Sequence, residues 1–69
     1  MRTFGETVAI YLDRLDMRSV DLANRSGQRK DYISRMINNG VEPTWPRALL
    51  IIDALGVDIN EFKRTQQER

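Results

Sequence analysis

The chain reads as an all-α protein, a compact five-helix bundle with a helix-turn-helix at its second and third helices. Three observations predict this. Apolar residues recur at helical spacing in successive segments, and no stretch alternates as a strand would. Capping residues and Gly, Asn or Pro separate those segments. Between Ser19 and Asn38, a small residue (Ala23), a turn glycine (Gly27) and inward apolar residues (Leu22, Ile33, Met36) fall at the offsets that two closely crossing helices need.

The first helix is expected from Thr3 to Leu15. Phe4, Val8, Tyr11, Leu12 and Leu15 form one stripe, and Thr3 with Glu6 makes a capping-box pattern. The second spans Ser19 to Ser26, capped by Arg18 or Ser19, of which Ser19 has the better capping chemistry. Gly27 then turns the chain, because glycine takes positive φ at least cost. The third helix runs from Lys30 to Asn38, with Ile33, Met36 and Ile37 inward, and Asn38-Asn39-Gly40 stops it. A loop follows, stiffened by Pro43 and Pro46. The fourth helix covers Pro46 to Leu55, with Thr44 as its cap and a dense apolar set from Ala48 to Leu55. Gly56 ends it. Asp58 caps a last helix in which Ile59 and Phe62 pack inward. Residues 1–64 form one domain on this reading, and 65–69 a frayed polar tail.

Composition excludes several classes of function. With 69 residues there is room for one core only. The chain has no Cys and no His, so disulfides and Cys/His zinc sites are ruled out and no cofactor is expected. No apolar run is long enough for a membrane span, and Met1–Glu6 lacks a signal-peptide core. The expectation is a soluble, cytoplasmic protein. Catalysis is not expected either: Asp13 and Asp16 share the exposed side of one helix, with no nucleophile–base pair or phosphate-binding glycine loop near them.

Net charge is only +1, but its distribution is uneven. Arg25, Arg29, Lys30 and Arg35 cluster around the third helix with Asp31 as the single acid, while other acids gather elsewhere. The outer face of that helix carries Lys30, Asp31, Ser34 and Arg35, which is the arrangement of a helix that enters a DNA major groove. Charged residues solvating an ordinary helix face would look the same in isolation.

Phe4-Gly5-Glu6, Leu22-Ala23, Ser26-Gly27, Ile33-Ser34-Arg35-Met36, Asn38 or Asn39 with Gly40, Glu42-Pro43 and Ala54-Leu55-Gly56-Val57 leading to Phe62 form an ordered set over residues 4–62. In this the chain resembles the lambdoid-phage repressor and Cro-like family, the XRE-type helix-turn-helix proteins. It departs from them in having Arg29 where Ser or Thr usually caps the recognition helix, Ser19 where Gln is common, and one additional residue near Asn38-Asn39. The resemblance implies a lambda-repressor-like DNA-binding domain in which Lys30, Asp31, Ser34 and Arg35 read bases. Alternatively, Asp31 and Arg35, at i and i+4, pair with each other. Phosphate candidates are Arg18, Ser19, Arg25, Arg29, Asn38, Asn39 and Arg47. Trp45 either stacks on a base or closes the core; burial is expected, since large aromatics chiefly supply buried area in small domains.

The expected function is a sequence-specific transcriptional regulator, a repressor binding double-stranded DNA as a homodimer. Val57, Ile59 and Phe62 either form the dimer surface or only seal the monomer core. The alternative is a protein-interaction module of the same fold, such as an antitoxin holding a toxin, or an adaptor that does not bind DNA.

Overall fold

The computed structural model describes residues 1–68 and contains α1 (Phe4–Arg14), α2 (Ser19–Ser26), α3 (Lys30–Asn39), α4 (Trp45–Leu55) and α5 (Ile59–Gln67). Helix α1 lies against α3 and α5, and α2 lies against α3 and α4. Val8, Leu22, Ile33, Met36 and Ile51 are fully enclosed at the centre, with Phe4, Tyr11 and Phe62 closing one end. No described helix is long and apolar enough to cross a membrane.

The capping box of α1 is present in full. The Thr3 amide donates to Glu6 Oε1 at 2.8 Å, and the Glu6 amide donates to Thr3 Oγ1 at 3.1 Å. The Thr3 amide is the main cause holding the Glu6 carboxyl below its ordinary 4.5; the Thr3 side chain and the nearby charges of Arg2 and the N-terminus add to it. A carboxylate with a lowered folded-state pKa stabilises the fold above that ordinary value and loses the contribution as pH falls through the folded value. The stability difference between wild type and Glu6→Gln should therefore be larger at pH 7 than at pH 3 in urea unfolding, and equal differences at both would contradict it. Thr3→Ala should cost about 1 kcal/mol.

Several boundaries differ from expectation. α1 ends at Arg14, because Asp16 adopts a left-handed φ of 52° and turns the chain, leaving Leu15 partly exposed instead of in the stripe. α2 has the expected span, and of its two expected caps Arg18 is the one present: its amide donates to Asp21 Oδ2 at 3.2 Å, and Ser19, the better capping chemistry, is already helical. α3 continues one residue past Asn38, to Asn39, with Gly40 following in the left-handed region. Thr44 stands at the N-cap of α4 without a side-chain cap bond.

Trp45 is 59 % exposed, against the expectation that it closes the core. The inner stripe of α4 is Ala48, Ile51, Ile52 and Leu55, and Trp45 stands at its edge one turn before the first buried member. Leu49 and Leu50 lie outside that stripe and are exposed as well.

The chain after Phe62 is held rather than frayed. Thr65 is buried, its Oγ1 lies 2.8 Å from the Tyr11 hydroxyl, and the Arg2 amide donates to the Gln66 carbonyl at 2.9 Å. The Arg2 guanidinium also donates to the Thr65 carbonyl. α5 thus continues to Gln67; of the expected tail, Arg69 lies outside the described residues.

Candidate nucleic-acid interface

The turn between α2 and α3 is built by a buried hydroxyl and a left-handed glycine. Ser26 Oγ donates to the Leu22 carbonyl at 2.7 Å, so this polar side chain is satisfied inside the bundle. Gly27 has φ 71°, which lets its own amide and that of Gln28 both return to the Ala23 carbonyl. The chain leaves the turn extended at Arg29 and enters α3 at Lys30. Arg29 caps without a side-chain bond, as its chemistry requires, and Asp31 supplies first-turn negative charge.

With Ile33 and Met36 fully buried, the outer face of α3 is fixed. Lys30, Asp31 and Arg35 are exposed on it and Ser34 is half-buried. Arg35 Nη2 lies 3.8 Å from Asp31 Oδ2, and both side chains remain more than half exposed. Such a solvated i,i+4 pair is worth about 0.2–0.5 kcal/mol and yields readily to a stronger partner. Asn38 Nδ2 donates to Ser34 Oγ at 3.2 Å, so these two candidates also form a pair along the helix. Among the described residues no ion pair involves Lys30, Arg25 or Arg29.

On the α4 side of α3, the Arg47 guanidinium lies over the Tyr32 ring, 4.7 Å from its centroid. Tyr32 was not among the residues singled out from sequence; its place in the first turn of α3, beside Lys30 and Asp31, was the available signal. At the start of α2, Arg18 lines a cleft with Asp13, Asp16 and Asp21 over Leu12 and Met17. Those carboxylates come from the end of α1, the left-handed turn and α2, and they oppose a phosphate near Arg18. Ser19 is half-buried there, and the Arg18 amide is taken by Asp21. Arg25, Arg29, Asn38 and Asn39 are exposed around the ends of the two helices.

The residues expected at a dimer surface separate into two groups. Val57 and Ile59 are half-buried against the core. Phe62 is 2 % exposed, with ring centroids 4.9 Å from Phe4 and 5.8 Å from Tyr11, so its ring is enclosed within the protomer.

Comparison with curated proteins and with solved structures gives no match. A family model described as helix-turn-helix matches residues 8–62, which include both helices of the motif, the cationic face of α3 and the core down to Phe62. The chain belongs to this helix-turn-helix family, the XRE-type, lambda repressor and Cro-like group of DNA-binding regulators.

Proposed function

We propose that the protein is a sequence-specific transcriptional repressor of bacterial or phage type. It acts in the cytoplasm on nucleoid DNA and binds a two-fold symmetric operator as a homodimer with α3 in the major groove. The observation that carries this reading is the two-sidedness of α3: Ile33 and Met36 are sealed inside while Lys30, Asp31, Ser34 and Arg35 face outward. Lys30 and Arg35 donate to guanine, Asp31 accepts from cytosine N4, and Ser34 makes a weaker base contact. Arg25, Arg29, Asn38, Asn39 and Arg47 meet phosphates. Arg18 and Ser19 make a weaker contribution because of the carboxylates around them. A single domain of this size reaches few base pairs, so pairing two copies raises affinity. Val57 and Ile59 are the dimer residues in this proposal.

The test is binding to duplexes selected from a random pool, followed as salt rises. Affinity should fall steeply, with a slope of about −0.9 for each phosphate neutralised. Arg35→Ala should erase discrimination at one base position, about 1–3 kcal/mol, while Arg25→Ala should weaken all duplexes alike. Salt-insensitive binding, or no enrichment of any sequence, would remove this function.

A further inference from the structure

Tyr32 and Arg47 form a contact that the family match does not explain. Arg47 belongs to the first turn of α4 and is exposed; Tyr32 belongs to the first turn of α3 and is half-buried. The guanidinium carbon of Arg47 lies over the Tyr32 ring, 4.7 Å from its centroid, and this contact joins the two helices across the loop 40–44. A cation over a ring is held through its charge, and a guanidinium has five N–H donors, so donors remain for a further partner. The contact thus fixes where the charge sits while leaving hydrogen bonds to give.

The position of that charge follows from the size of the groove. A helix is about 10–12 Å across with its side chains, and the major groove is about 12 Å wide. A duplex that accepts α3 must therefore run a sugar–phosphate strand along each flank of it. On one of these flanks, beside the first turn of α3, Arg47 is a cation held over the Tyr32 ring.

We propose that Tyr32 is the positioning residue of Arg47, ordering its guanidinium before DNA arrives for the backbone phosphate assigned to it above. This rests on the DNA-binding reading above. Tyr32 needs only its ring for this role, and Arg47 needs its planar group as well as its charge.

The experiment measures anisotropy of a fluorescein-labelled, mixed-sequence duplex about two helical turns long over a series of salt concentrations. Each variant's fold is checked by circular dichroism. Arg47→Gln should weaken binding by about tenfold and reduce the steepness of the salt dependence by about 0.9. Tyr32→Leu should do the same although it removes no charge. Tyr32→Phe should match wild type, and the Tyr32→Leu/Arg47→Gln double variant should be no weaker than either single one. Arg47→Lys changes an exposed side chain and tests the idea without disturbing the core: it should lose affinity despite keeping the charge.

Wild-type affinity in Tyr32→Leu or in Arg47→Lys would overturn the positioning role. A Tyr32→Phe variant as weak as Tyr32→Leu would assign the contact to the hydroxyl and overturn it too. Unchanged binding by Arg47→Gln would remove the phosphate site while leaving DNA binding intact. Salt-insensitive or absent binding by wild type would instead sink the DNA-binding reading, and this proposal with it.

Discussion

Gly5→Ala is expected to lower the melting temperature by about 15 °C, through a loss of about 3 kcal/mol. A Cβ at Gly5 would stand 1.9 Å from the Met36 carbonyl oxygen, 2.6 Å from its carbon and 2.9 Å from Ile37 Cα. All three are backbone atoms of α3, so no rotamer change relieves the clash, and α1 must lift off α3. Alanine's better helix propensity returns about 1 kcal/mol of an overpacking cost of about 4 kcal/mol, above the usual range because backbone is struck, which leaves the net loss of about 3 kcal/mol. A core this small rarely supplies more than about 3–5 kcal/mol, so the variant would sit near the edge of folding. Gly27→Ala is the control: a Cβ there meets nothing within 4 Å, and only the φ of 71° is unfavourable. That strain is worth about 1–2 kcal/mol. Melting curves in which Gly5→Ala is milder than Gly27→Ala would contradict the close approach of α1 to α3.

Phe62→Ala should cost about 3–5 kcal/mol, the range for removing a buried aromatic ring. The ring is packed against both Phe4 and Tyr11 and lies within the hydrophobic core, so its loss leaves a cavity that rigid helices fill poorly. The loss should be the same at every protein concentration, since the contacts are within one chain. If Phe62 served mainly to join two copies, the destabilisation would instead vary with concentration, and chemical denaturation over a hundredfold dilution separates the two.

Local chemistry was readable in one dimension. The Thr3–Glu6 box, the left-handed Gly27 and the cap at Asp58 depend on residues a few positions apart, and sequence places them correctly. The outward set on α3 follows from helical period once Ile33 and Met36 are taken as inward. The Asp31–Arg35 alternative has the same origin, and the structure brings that pair together.

What sequence concealed depends on how elements meet. Gly5 looks like an ordinary helical residue until Met36 is brought against it, and the small residue anticipated at a helix crossing was Ala23. Thr65 to Gln67 are polar and look like tail, yet Tyr11 and Arg2 hold them from the far end of the chain. Trp45 was expected inside because of its size, while its place at the edge of the α4 stripe put it outside. The three carboxylates around Arg18 come from two helices and a turn, so no linear pattern announces their convergence.

The bond between the Arg2 side chain and the Thr65 carbonyl spans 63 positions. Closing a flexible loop of that length costs about 4 kcal/mol in chain entropy. An exposed ion pair such as Arg2 with Glu68 returns about 0–1 kcal/mol and cannot offset it. Burial of Phe4, Tyr11 and Phe62 is therefore the larger part of what holds the ring shut, and the buried Tyr11–Thr65 bond and the Arg2 contacts align and reinforce it.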